Sequence, residues 1–293
     1  MENRLKKFGS TINENRYSGF SAFVEKLSIT SPTKETVLVE AIMSKLKELD
    51  RVKRYKIHSD GTVDVIGNLS FEFTKIKFIP VYLNKVTGTF WCTSGGGITS
   101  LLGSPRTVGR DFYCSGENLT SLEHGPEIVK GSVNCTNNSI SSLKGSPKEI
   151  GGIFNCSRNK LTSLEHGPQS VGGNYDASAN KLLSLRGSPN KIVSSFDCDH
   201  NSLTSLEHGP QSVGRNYDAS NNNLRSLKGA PREVGGWFNC SHNNIDSLED
   251  MDINMVVSGN FMYGFNPLTR MFKNIVAGQF RAEDRLRRGE LGY

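Results

Sequence analysis

The chain of 293 residues is long enough to bury a substantial core in one or two domains. Apolar residues make up 35%, Gly, Asn and Ser are abundant, and no run approaches the roughly 18 to 20 apolar residues of a membrane span; the composition is that of a chain with many regular turns. The net charge of +6 belongs to the ends: residues 1–90 carry 15 basic and 10 acidic side chains, residues 91–259 carry 14 and 16, and residues 260–293 carry 6 and 3.

The opening MENRLKKFGSTINENRYSGF lacks the apolar core of an export signal, so the expectation is a soluble protein in a cytoplasm, with its six cysteines as free thiols. Ser31 followed by Pro32, with Glu35 close behind, reads as a helix start. Leu38, Ile42, Leu46 and Leu49 follow at helical spacing and predict one amphipathic helix over residues 32–51. Residues 55–67 alternate in polarity around Asp60 and Gly61, the pattern of a β-hairpin. Residues 1–75 are therefore expected to form an N-terminal cap of helix plus hairpin.

From residue 76 to 260 the sequence repeats. Leu101, Leu122, Leu143, Leu164, Leu185, Leu206, Leu227 and Leu248 recur at a constant spacing of 21 without a slip. In step with them run a valine or isoleucine column from Val108 to Val234, an aromatic column from Phe112 to Phe238, and the asparagines Asn138, Asn159, Asn180, Asn201, Asn222 and Asn243. In one unit, Phe154 and Cys156 alternate with Asn155 and Ser157 as a strand with one buried face, Asn159 turns the chain, and Leu161 and Leu164 re-enter the core. One unit cannot bury its own apolar side, but stacked units can, which predicts a solenoid of parallel strands about 4.8 Å apart. Two adjacent glycines between the valine and the aromatic residue predict a bulge or bend. An atypical first repeat aligns Val86, Phe90 and Cys92 with Val108, Phe112 and Cys114 at an offset of 22. Residues 261–293 read as a short capping helix followed by a charged tail.

The pattern Phe-x-Cys-x-x-Asn-x-Leu-x-x-Leu resembles the strand and asparagine turn of leucine-rich repeats. Its flavour, LTSLxxxPxxVGGxFxCSxNxL, is similar to the short repeats of proteins from large tailed bacteriophages. The resemblance covers about residues 76–260 and implies a leucine-rich-repeat-like parallel β-sheet solenoid with 21-residue repeats. It also implies a buried hydrogen-bonding ladder formed by the six asparagines, a host or phage protein as partner, and an infected bacterial cytoplasm, or the virion, as the setting.

Glu, His and Asp within SLEHGPQSVGGNYDAS look catalytic. His124, His166 and His208, however, lie two coils apart, about 9.6 Å, too far to share one metal ion. The neighbouring column Glu123, Lys144, Glu165, Arg186, Glu207, Lys228 and Glu249 alternates in sign and reads as a structural charge ladder. The cysteine column accepts Ala177 and Ala219, so it is expected to be core. No phosphate loop, zinc-finger spacing or catalytic motif appears, and a glycosidase pair of aspartates would lack an apolar pocket; no catalytic residue, metal or cofactor is expected. What remains is the outward face of the strands, where Tyr113, Asp176, Asp197, Asp199, Asp218, Trp237, His200 and His242 are the expected partner-binding residues. Three aspartates on successive coils repel one another, which predicts raised pKa values. An alternative is nucleic-acid binding through the basic ends, with Lys6, Lys7, Lys53, Arg54, Lys56, Arg285, Arg287 and Arg288 on phosphates; a second is a structural part of a virion.

Overall fold

The computed structural model describes residues 19–267 with the exception of 94, 96, 249 and 253. Over these residues the chain is a parallel β-solenoid with 21-residue spacing in which each coil contributes two short strands separated by a bend. One strand carries the valine column, as in Thr107–Val108 and Glu149–Ile150, and the other the aromatic column, as in Phe112–Tyr113 and Phe154–Asn155. Pairing is parallel between residues one repeat apart, setting Phe154 beside Tyr175 and Phe196 beside Tyr217. The longer first repeat expected from the sequence is kept where Phe90 pairs with Phe112. At the far end Phe238 pairs with Phe261, which is farther along the chain than one regular repeat, so this coil escapes the spacing visible in the sequence.

The expected bend between valine and aromatic residue is present, and both sides of it pair. Its small residues keep adjacent coils close: a Cβ on Gly172 would lie 2.2 Å from the carbonyl oxygen of Gly151 on the coil before. Val193 stands at the same place one coil later, and there the first-strand ladder is open, dividing it between Ser170–Val171 and Lys191–Ile192. Lys130 and Ser258, unbranched at Cβ, keep the corresponding backbone bond to Val108 and Val234. The two methyl groups of valine leave less room beside the neighbouring carbonyl.

A column of aromatic rings in edge-to-face contact runs through the core, with centroids 5.0 Å apart for Phe154 and Tyr175 and 5.2 Å for Phe196 and Tyr217. Beside them the asparagine ladder satisfies the turn. Asn159 donates from Nδ2 to the carbonyls of Cys135, Cys156 and Ser157 at 3.0, 3.0 and 3.1 Å, and its Oδ1 accepts the Ile140 N–H at 3.0 Å. One amide thus ties its own coil to the preceding one. Asn138, Asn180, Asn201, Asn222 and Asn243 repeat the pattern. Asn266, on the longer coil beyond Asn243, adds a further member. Serines make a second ladder, each hydroxyl accepting the N–H two residues on, as from Ser142 to Lys144 and Ser184 to Arg186.

The cap combines a helical segment over residues 19–26 with the helix Thr36–Glu48 and the hairpin strands β1 (Val52–Ile57) and β2 (Val63–Ser70). The helix starts at Thr36, later than Pro32 suggests. Thr33 is held in a parallel bridge to Val81, which keeps the segment after Pro32 extended, and the buried face is Val39, Ile42, Met43 and Leu46. Strand β2 is long enough to pair with Leu83–Val86 at one end and Phe90–Trp91 at the other, so it starts both strand columns. Strand β1 runs antiparallel beside it and ends the sheet with exposed Lys53, Arg54 and Lys56, charges that discourage edge-to-edge pairing.

The two-coil rhythm has a steric cause. His124, His166 and His208 share a left-handed backbone position, φ 65°, 66° and 65°, with Gly145, Gly187 and Gly229 on the alternate coils. A Cβ on Gly187 would sit 2.4 Å from the Leu164 carbonyl oxygen and 2.5 Å from Glu165. Gly187→Ala is therefore expected to cost roughly 2 kcal/mol or more from overpacking and left-handed strain, while His166→Gly changes stability by about 1 kcal/mol at most. Asn159→Ala, which strands four buried backbone groups, is expected to lose roughly 3 kcal/mol or more. Urea denaturation of the three variants measures the order.

Candidate functional site

The outward position of the aromatic strand reads Asn134, Asn155, Asp176, Asp197, Asp218 and Asn239 along successive coils. These side chains do not stand free. Five of the six accept the N–H two residues on: Thr136 to Asn134 at 3.1 Å, Ser157 to Asn155 at 3.0 Å, Ser178 to Asp176 at 3.0 Å, Ser220 to Asp218 at 2.9 Å and Ser241 to Asn239 at 3.1 Å. The face is thus half-buried and largely self-satisfied.

Asp197 breaks the rule. Two residues on from it stands Asp199, where the other coils carry Ser or Thr, and the Oδ1 of Asp197 is buried with no hydrogen-bond partner. Asp176 and Asp218 flank it in register on the coils above and below. Its pKa is raised to about 8, first by loss of water around the carboxyl, then by a hydrogen bond with Asp199 and by the negative charge of Asp199, Asp176 and Asp218. These causes all favour the protonated form of Asp197 near neutrality. A carboxylate oxygen of Asp199 also contacts Nδ1 of the exposed His200, itself in a left-handed conformation at φ 51°. The coil that carries this group is also the one opened at Val193.

Of the eight expected residues, five come together here: Asp176, Asp197, Asp199, Asp218 and His200. Tyr113 lies three coils away and stacks on Trp91, centroids 5.9 Å apart and rings 9° from parallel. Trp237 is half-buried at the bend, where its N–H donates to Asn216 Oδ1. His242 stacks on Phe265 two coils beyond His200. Trp91 escapes the sequence reading because the irregular first repeat obscures its place in the outward column. Glu117 is likewise missed. It occupies the asparagine position of its coil and is buried, accepting the N–H groups of Gly95 and Ile98 at 3.0 and 2.8 Å.

The remaining chemical-looking residues are scaffold. In the charge column Glu123 pairs with Lys144 at 2.7 Å and Glu207 with Lys228 at 3.1 Å. Glu165 and Arg186 close no such pair among the described residues, and Glu249 lies outside them, so the ladder is two separate pairs rather than a continuous run. All six cysteines are buried and free. Burial pushes their thiols up, Cys135 to about 12, and Cys135 and Cys156 donate weakly to the carbonyls of Asn155 and Asp176 on the next coil. No group of three or more His, Cys, Asp and Glu among the described residues is placed to hold a metal ion, and no helix among them is long and apolar enough to cross a membrane. Lys6, Lys7, Arg285, Arg287, Arg288 and the expected C-terminal helix lie outside the described residues.

An unfolded aspartate titrates near 3.9, whereas Asp197 keeps its proton up to about 8. Folding therefore takes up a proton between those values. By linkage, stability falls as pH rises through about 4 to 8 and levels off above. Asp197→Asn is expected to flatten this slope and to raise the melting temperature most above pH 8. Calorimetric melts at pH 5, 7 and 9 check it; an unchanged slope places the titrating group elsewhere.

No family model matches the sequence, and no curated protein matches it. Among solved structures the chain is similar to YopM from Yersinia enterocolitica WA-314, at 19% sequence identity over 66% of this chain and 52% of that one, with a TM-score of 0.34. The chain thus spans about half the length of the YopM chain it matches.

Proposed function

We propose that the chain is a non-enzymatic repeat scaffold that binds a basic protein surface through the strand face centred on Asp197. Solenoids of this type commonly serve as protein-binding scaffolds. The observation that carries the reading is the buried Asp197 carboxylate oxygen without a donor, amid Asp176, Asp199 and Asp218. Regular coils satisfy the same position with a serine or threonine N–H. Here no backbone donor closes the position, and a lysine or arginine brought against the rim of the cluster would supply charge opposite to Asp176, Asp199 and Asp218. His200 borders the same cluster, and Trp237 offers an aromatic contact one coil past Asp218. The resemblance of the repeats to those of bacteriophage proteins supports a host or phage protein as the partner, with an infected bacterium or an assembling virion as the setting.

The triple variant D176N/D197N/D218N tests the reading without disturbing the fold. Asparagine already fills this column at Asn134, Asn155 and Asn239 and makes the same bond to the strand. Pull-down with quantitative mass spectrometry is expected to recover a partner with the native chain and to lose at least tenfold of it with the variant. Equal recovery sinks the reading.

A further inference from the structure

The outward column contains a second irregularity, at the junction of cap and solenoid. Along three successive coils it reads Ser70, Trp91, Tyr113, with Ser70 and Trp91 paired in register, and Trp91 and Tyr113 likewise. Tyr113 covers one face of the indole in a nearly parallel stack. On the other side stands a serine, so the column steps down from a large ring to a small side chain beside the half-buried Trp91. An open groove of about 550 Å³ lies at that step, lined by Ser70 and Trp91 together with Arg51, Lys53, Arg110 and Asp50. Its volume falls within the roughly 300–1,000 Å³ of small-molecule sites.

The charges around the groove are three basic and one acidic. Arg51 is held in place, its guanidinium donating to Ser70 Oγ at 3.1 Å and to the Glu72 carbonyl at 2.9 Å. Lys53 and Arg110 are exposed and make no ion pair among the described residues. Lys53 comes from the cap strand β1 and Arg110 from the bend of a solenoid coil, so the two approach the groove from different parts of the fold. An aromatic ring bordered by one anchored and two exposed cations fits a ligand that carries a flat ring and an anionic group a few ångströms apart.

We infer that this groove binds a nucleoside phosphate, the base continuing the Trp91–Tyr113 stack and the phosphate seated between Lys53 and Arg110. The same chemistry is presented by a free nucleotide and by one residue of a single strand. The site is independent of the Asp197 face: the two share no residue, and each can fail alone.

With Trp237→Phe, Trp91 is the sole tryptophan of the chain and its fluorescence reports on the groove directly. This variant would be titrated at low salt with adenosine monophosphate and, separately, with a short oligothymidylate. Either ligand is expected to quench the emission with saturation. Saturation by the monophosphate at the oligonucleotide's affinity assigns a free nucleotide. Saturation by the oligonucleotide alone, weakening steeply with salt, assigns a single strand. The double variant K53A/R110A, changed only at exposed positions, should weaken binding roughly tenfold and reduce the salt dependence. Trp91→Ala, followed by labelled ligand and with folding checked by circular dichroism, should lose a similar factor. No quenching with either ligand, quenching unaffected by K53A/R110A, or a preference for an acidic peptide over both ligands overturns the proposal.

Discussion

Everything in this solenoid depends on the asparagine amide that closes each turn. A coil whose strands are so short has too few ladder bonds to hold its own backbone, and the chain between Cys156 and Leu161 would otherwise bury carbonyls without donors. Asn159 answers with four hydrogen bonds, one of them to the Cys135 carbonyl on the coil before. The amide works only if the residue before it adopts a left-handed conformation. Along the structure that position is Gly116, Asn137, Arg158, Ala179, His200, Asn221, His242 and Phe265, all with positive φ. Gly116, the asparagines and the histidines tolerate the conformation, whereas Arg158, Ala179 and Phe265 accept local strain there that the ladder must outweigh. The same dependence explains where length variation is tolerated. Phe261 to Asn266 keeps the separation of Phe238 to Asn243, and the extra length of that coil falls between Leu248 and Val256, outside the strand-to-asparagine segment.

A second constraint acts across pairs of coils and accounts for the near-identity of two stretches that lie two coils apart. A Cβ on Gly167 would lie 3.2 Å from the hydroxyl of Tyr175, and one on Gly209 would lie 3.1 Å from that of Tyr217. In the alternate coils Ser188 fills this place and the ring is Phe196, without a hydroxyl. Two residues past the ring, the tyrosine coils carry Ala177 and Ala219 where Phe196 and Phe238 are followed by Cys198 and Cys240. Large ring, glycine and alanine exchange together for smaller ring, serine and cysteine, which conserves core volume. Histidine before the glycine and glycine before the serine complete the two states. What resembles a duplicated catalytic motif is a packing solution that needs two coils to repeat.

The solenoid is legible in the sequence because each regular column has a single dominant cause. Leucine, valine and aromatic spacings report burial, and the asparagine spacing reports turn closure. The parts that are not legible share a different character: they depend on contact between coils rather than on spacing within one. The valine strand of each coil is so short that only stacking reveals its pairing. The helix start is displaced from Pro32 because Thr33 is claimed by a bridge to Val81, far ahead in the chain. The aspartate column is visible, but not that Asp176 and Asp218 are bound to their own strands while Asp197 is not; that distinction rests on Asp199, which in sequence is one more polar residue.

This difference indicates how function is to be sought in a repeat protein. The recurring polar residues of the regular coils are, for the most part, committed to backbone partners, and a column of identical residues is more simply explained by the fold than by a ligand. Functional freedom resides where a coil departs from the rule and no local compensation is present. At Asp197 the departure costs stability, since a carboxyl is desolvated among three others and one oxygen lacks a donor. At Trp91 the departure sets a half-buried indole beside the exposed Lys53 and Arg110. One departure is acidic and lies mid-solenoid, the other is basic and lies at the cap. Their opposite charge makes a single shared ligand a poor fit for the two proposed sites.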